Sequence, residues 1–381
     1  MTVIGEGQAI GFWLDEDTIA WPTRQGSTYR LYYAARGGIE LDGERVTGAD
    51  GSVELLVKDG GITSGQKALD PYLTGAYTFD GEDFGALGFA EPVDAAALLT
   101  GQVVVLQRGP DGGPVAFSSL QTARILDAMY AESARLRPQG VTFADGVPSF
   151  ALWAPTAKTV TLLTWQTGDP LGSVPEVPGP ATRTPAIQGD DGRWCVPNAD
   201  GRIGVGCQYL WEVKVYVPST RRVETNIVTD PYSTALTTDS TRSVAVDLAD
   251  ARLAPDQWAA VPAPPVRNDS ARSIYELHVR DFSAADETVP AELRGTYRAF
   301  TMEDSTGVRH LAELAGAGMN TIHLLPTFDI ATIPEDRAGQ HSPEIPKGLG
   351  PASTEQQAAV SAVADRDAYN WGYDPLHWGA P

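Results

Sequence analysis

"SIYELHVRDF" at Ser273–Phe282, "TGVRHLAELAGAG" at Thr306–Gly318 and "MNTIHLLPTFD" at Met319–Asp329 decide the fold class of the last third of the chain. The first and third pieces are nearly uninterrupted apolar runs, as expected of parallel strands covered on both faces. The second places its apolar residues on one helical face and stops on glycines. Strand, helix, strand is a βαβ unit, and right-handed crossovers of this kind build parallel sheets and barrels. Asp281 and Asp329 follow the two strands, where (β/α)8 barrels collect their working side chains. A closed barrel takes about 250 residues, so the stretch up to Pro381 is read as the start of one only.

Upstream the rhythm is different. From Phe12 to about Leu120, short alternating runs such as "YRLYYAA", "SVELLV" and "QVVVLQ" sit between Gly, Asp and Pro clusters, the signature of antiparallel strands. "LQTARILDAMYAESARL" at Leu120–Leu136 then puts Ile125, Leu126, Met129 and Tyr130 at helical spacing until Pro138 and Gly140 stop it. A second β set follows in "SFALWAP", "TVTLLTW", "YLWEVKVYV" and "RSVAVDL", interrupted between Gly168 and Pro185 by a proline-rich, aperiodic surface loop. "VPAPPVRND" at Val261–Asp269 closes that set as a joint. The expected organisation is a β domain over 1–121, a linker helix over 122–140, a second β-sandwich over 141–262 and the start of a barrel over 268–381. The predicted fold class is multidomain: two antiparallel β-sandwich modules followed by an incomplete (β/α)8 TIM barrel.

Composition narrows the partners. The 381 residues carry 28 basic against 49 acidic side chains, a net charge of -21, which repels phosphate backbones and anionic headgroups and argues against nucleic acid and membrane partners. No apolar run approaches the roughly 20 residues of a spanning helix, and "MTVIGEGQAIGFW" lacks the basic start and apolar core of an export signal. Cys195 and Cys207 leave one disulfide open but no framework, and the compartment stays open with them.

"YELHVRDFS", "HLLPTFD" and, at Tyr369–Pro375, "YNWGYDP" resemble the first barrel strand, the second barrel strand and the signature heptapeptide of type I pullulanases, the α-1,6 debranching branch of the α-amylase superfamily. "FALWAPTAKTVTLLTW" and the stretch from Tyr209 to Leu248 are similar to the isoamylase-type carbohydrate-binding module such enzymes carry ahead of the barrel. "FWLDEDTIAWP" and "YRLYYAARGGIEL" resemble their preceding β domain. The resemblance implies a debranching glycoside hydrolase that cleaves α-1,6-glucosidic links in pullulan, amylopectin, glycogen or limit dextrins by a retaining double displacement, with an α-glucan polysaccharide as partner.

A pyranose presents an apolar face of C–H groups and a rim of hydroxyls, so its site needs flat aromatic surface beside hydrogen-bonding side chains. The terminal heptapeptide supplies both. Spacing alone leaves Trp371 and Tyr373 open between core or interface rings and sugar contacts, and Asp374 before Pro375 reads equally as a turn former. The resemblance implies that Tyr373 stacks on the sugar, with Asn370, Trp371 and Asp374 fixing the loop and its hydrogen bonds. In the second β set, Trp153 and Trp211 alternate with apolar neighbours and read as core, whereas Trp165 and Trp194 lie nearer to turns and are the candidate sugar platform. His278 and His323 read as hydrogen-bonded core histidines, and Asp281 as a partner holding a strand end.

Retaining hydrolysis needs two carboxyl groups about 5 to 5.5 Å apart. The resemblance places them on later barrel strands whose motifs do not occur here, so no catalytic residue is assigned and the chain as given is expected to be inactive. Nucleophile-elbow, Walker and H-E-x-x-H patterns are absent. Metal-ligand spacing is absent too, no cofactor is implied, and calcium on acidic loops is left open. The alternative reading is a non-catalytic α-glucan-binding protein.

Overall fold

A computed structural model describes residues 3–69, 84–169, 171, 175–261, 266–369 and 371–380. Two compact units emerge, one comprising Met1–Thr164, Ala181–Arg202 and Leu210–Val228, the other Trp165–Pro180, Ile203–Tyr209 and Thr229–Pro381.

In the first unit, seven strands close into a barrel in the order Ala9–Asp15, Thr18–Pro22, Phe84–Phe89, Gly51–Val57, Thr28–Ala34, Gln102–Arg108 and Pro114–Gln121. Neighbours run antiparallel except at the seam, where Ala9 lies opposite Ser119 and Phe12 opposite Gln121 in parallel. The expected β-sandwich over 1–121 is therefore corrected to a closed barrel. Alternation identifies the inward side chains, but sandwich and barrel share that period, and the pairing that closes the sheet joins opposite ends of the module. Trp13, Trp21, Leu31, Leu87 and Val105 are fully buried in the main core. "QVVVLQ" is buried on both sides: Val103 and Val105 join that core, while Val104 and Leu106 join Ile39 and Phe117 in a second cluster packed by Leu41 and Val46. Those last two lie on the hairpin of Glu40–Asp42 and Arg45–Thr47. The predicted helix runs Ala123–Leu136, burying Ile125 and packing Leu126 and Met129 against the barrel core.

Two further sheets follow in this unit. Gly140–Ala144, Val147–Trp153, Arg193–Val196 and Ile187–Gln188 form one, in that order, all antiparallel. Thr182–Pro185, Ala157–Trp165, Gln208–Val217 and Arg222–Val228 line up in the other. The sequence reads Thr182–Pro185 as loop, whereas it pairs with Thr161–Thr164, a pairing its proline-rich surroundings conceal. Trp211 is fully buried, as its alternation indicated. Trp153 is half-buried, edge-on to Tyr130 with ring centroids 6.5 Å apart. Cys195 and Cys207 are both free thiols, so the open disulfide is not formed.

In the second unit, "RSVAVDL" contributes only Ser243–Val244, paired with Gln208 and Tyr209. Ile274–Leu277 and Thr321–Leu324 pair in parallel, Tyr275 opposite Ile322, with the helix Thr306–Gly316 between them in sequence. Ser305 caps that helix by accepting from the Val308 N–H. The strand–helix–strand order is as predicted, but the cover is not. Ile274, Ile322 and Leu324 are exposed and the helix buries no residue, because each strand has a single neighbour in this sheet. An apolar run signals that cover is needed; it does not supply it. "VRDF" also leaves the strand, Val279–Ser283 being helical with His278 at its N-cap. Among the described residues no TIM barrel is present, and the parallel pairing within this βαβ element is this two-stranded sheet. No helix among the described residues is long and apolar enough to cross a membrane.

Candidate functional site

The terminal aromatic segment is built on the chain that leaves the second parallel strand. Asp329–Ile330 pairs antiparallel with Pro375–His377, and the ladder is extended by Asp329 N–H donating to the Ala380 carbonyl at 2.8 Å and Ala331 N–H to the Asp374 carbonyl at 3.0 Å. Gly372 sits between the two candidate rings at φ +74, and a Cβ there would lie 2.8 Å from the Pro326 carbonyl oxygen. Both the left-handed backbone and this close approach demand glycine.

The rings flanking Gly372 stand in solvent, Trp371 57% and Tyr373 67% exposed, which removes the core-ring alternative for both. Tyr369 meets Trp371 edge-on at 6.0 Å, and the Arg280 guanidinium lies 6.0 Å from the Tyr369 ring centre. Below, Phe328 packs on Trp378 with centroids 4.6 Å apart. Asp374 is exposed and its carbonyl serves the ladder. Asn370 lies outside the described residues.

The candidate platform of the second β set is not an open surface. Trp194 is 7% exposed, its Nε1–H donating to the Ala154 carbonyl at 2.9 Å, so it is a core residue. The alternation of "RWCV", with Trp194 and Val196 inward, was the signal for this. Trp165 has its Nε1–H on the Gly179 carbonyl and the Arg242 guanidinium 3.8 Å from its ring centre, so a cation already occupies one face.

His278 accepts from the Asp281 N–H at 3.3 Å, and the Asp281 carboxylate pairs with Arg280 at 2.7 Å. Both act at the strand end. His323 is a correction: it is exposed and pairs with Glu276 at 3.2 Å. A buried polar cluster was invisible in the sequence because its members come from distant segments. His377 joins Asp329 and Thr229, and Ser240 joins Asp329. Beside it the Glu335 N–H donates to Asp239 at 2.8 Å; desolvation, then the Asp239 and Asp329 charges, push the Glu335 carboxyl above its ordinary value. Among the described residues, no group of three or more His, Cys, Asp or Glu is arranged to hold a metal ion.

Residues 8–128 match the family model of the pullulanase N2 domain. The whole chain is 33% identical over 375 residues to pullulanase 1, chloroplastic, of Arabidopsis thaliana, covering 97% of this chain and 37% of that protein. It is 32% identical to the pullulanase of Klebsiella pneumoniae over 99% of this chain and 36% of that one. The chain is similar to the N-terminal portion of pullulanases. Among solved structures, it resembles PulA from Klebsiella pneumoniae in its maltotriose complex with a TM-score of 0.83, at 29% identity over 98% of this chain and 42% of that one. It resembles PulA from Klebsiella oxytoca with a TM-score of 0.82, at 31% identity over 98% of this chain and 37% of that one. The chain thus spans little more than a third of the curated pullulanases it matches and corresponds to their N-terminal portion.

Proposed function

We propose that this chain is the N-terminal part of a debranching glycoside hydrolase acting on α-1,6-glucosidic links of pullulan, amylopectin, glycogen or limit dextrins by retaining double displacement. The observation that carries the reading is the pair of exposed rings around Gly372. The likeness to pullulanases, one of them solved with maltotriose, supports it. In this reading residues 268–381 begin a catalytic barrel, 1–121 and 141–262 are the β modules ahead of it, and 122–140 is the connecting helix. Tyr373 stacks on a glucose ring, Trp371 flanks it, and Asn370 and Asp374 hold the loop and offer hydrogen bonds to the hydroxyl rim. Stacking of this kind contributes about 0.5 to 1.5 kcal/mol beyond area burial, so affinity requires several subsites. This chain binds and orients; the carboxyl pair, about 5 to 5.5 Å apart in a retaining enzyme, is supplied by other residues.

Titration with maltotriose tests the binding half. Tyr373→Ala is expected to weaken it by about tenfold, the loss of a stacked ring and its buried area, and a variant that binds as well as the parent rejects the assignment. Release of reducing ends from pullulan tests the other half. A purified chain that cleaves branched glucan unaided carries reactive carboxylates of its own. The second reading, a non-catalytic α-glucan-binding protein, rests on the absence of the family's later acid motifs and predicts binding without cleavage.

A further inference from the structure

On the segment that carries the exposed rings ends a line of hydrogen bonds, buried at Asp329 and His377, that stacking on a sugar leaves unexplained. Ser240 Oγ donates to Asp329 Oδ1 at 2.7 Å, His377 Nδ1 lies 2.7 Å from Asp329 Oδ2, and His377 Nε2 lies 2.7 Å from Thr229 Oγ1. With both carboxylate oxygens accepting, the second from Nδ1–H, a neutral His377 ring accepts at Nε2 from the Thr229 hydroxyl. Hydroxyl, imidazole and carboxylate in this order are the parts of a nucleophilic triad. Here His377 is 2% and Asp329 5% exposed, which shuts substrate out and leaves the line a holding role.

What it holds is legible at each end. Thr229 precedes Asp230, a fully buried residue whose carboxylate accepts from the Tyr209 hydroxyl at 3.1 Å and from the Tyr232 N–H at 2.8 Å. Its own N–H donates to Ser243 Oγ at 2.9 Å. That turn is a rigid post. At the other end, His377 closes the short strand that follows the rings, and around it Trp371, Tyr373, Leu376 and Trp378 are all exposed. The segment has few apolar anchors of its own, so a satisfied buried polar network is what can give its rings one position.

We infer that Thr229, His377, Asp329 and Ser240 form a positioning relay that holds Trp371 and Tyr373 in the geometry in which they meet an α-glucan; the sugar half of this statement rests on the function proposed above. In the full chain, Thr229→Val deletes the hydroxyl while keeping its shape, Thr229→Ser restores it, and Asp329→Asn disturbs the centre of the line. Two quantities are measured: hydrogen exchange of the Asp329 and Ala331 amides, whose partners are carbonyls of the terminal segment, and maltotriose affinity. Thr229→Val is expected to speed that exchange by about tenfold or more and to weaken maltotriose by a similar factor, since a buried acceptor loses its partner. Exchange in the N-terminal barrel should stay unchanged, and Thr229→Ser should behave as the parent. Parental exchange rates in both Thr229→Val and Asp329→Asn, or a Thr229→Ser variant as impaired as Thr229→Val, would overturn the relay. A parent chain that does not bind maltotriose at all would overturn the proposed function and the sugar half with it, while the exchange rates still decide whether the relay fastens the segment.

Discussion

Leu31 and Val105 in the N-terminal barrel, and Ile274 and Ile322 in the parallel pair, are residues of the same chemistry on strands of similar apolarity. The first two are hidden from solvent and the second two are exposed. In the barrel every strand has two neighbours and the seam between Ala9–Asp15 and Pro114–Gln121 leaves no edge. The parallel strands have one neighbour each, and such a strand presents unpaired backbone groups along its free edge. For these four residues burial follows the cover each strand receives, not residue type. The two regions also differ in what fixes them: large apolar side chains interlock in the barrel, whereas the segment after the parallel pair leans on the Thr229–His377–Asp329 line.

The contrast breaks most visibly in native-state hydrogen exchange. Strands of the barrel should exchange only on global unfolding, and the amides of Ile274–Leu277 and Thr321–Leu324 through local opening many times more often. Equal protection would remove the distinction. Trp21→Ala comes next: Trp21 is fully buried and its Nε1–H donates to Gln107 at 2.9 Å, so denaturant unfolding should show a loss of about 3 to 5 kcal/mol. Leu324→Ala on the exposed parallel strand should stay within about 0.5 kcal/mol. Gly372→Ala should cost about 1 to 3 kcal/mol locally, read as faster exchange at Ala331 with barrel exchange unchanged.

Thiol labelling sharpens the picture further. Burial pushes the Cys207 thiol up to about 12, so in mildly alkaline buffer it should resist alkylation until the chain is denatured. The smallest effect belongs to Glu335. A carboxyl raised on folding contributes stability below the ordinary carboxylate range and loses it as pH rises through the raised value. Glu335→Gln should therefore slightly raise the unfolding midpoint at neutral pH and leave it unchanged in acid. A lower midpoint at neutral pH would reverse the assigned shift.

Features set by near neighbours were legible from the chain. "YRLYYAA" and "QVVVLQ" declare strands at Thr28–Ala34 and Gln102–Arg108, and the spacing of Ile125, Leu126 and Met129 declares the helix Ala123–Leu136. "YNWGYDP", together with "YELHVRDFS", "HLLPTFD" and the upstream β stretches, pointed to the resemblance to pullulanases. Features set by distant partners were not. Thr182–Pro185 is a strand because Thr161–Thr164 lies beside it, and one face of Trp165 is occupied because Arg242 reaches its ring. His278 turns the chain out of the parallel strand by capping the helix Val279–Ser283, a choice that the apolarity of "ELHVRDF" conceals.

Sequence alone determined most of the N-terminal strands, the helix Ala123–Leu136 and the resemblance to pullulanases, because periodicity and short motifs are properties of residues a few positions apart. Only the tertiary structure decided that the first module closes, that the parallel strands stay uncovered in this chain and that His377 is tied to Thr229 and Asp329. Those outcomes depend on which distant backbone edges and polar atoms meet, and a partner 148 positions away, as Thr229 is from His377, leaves no trace in the local pattern.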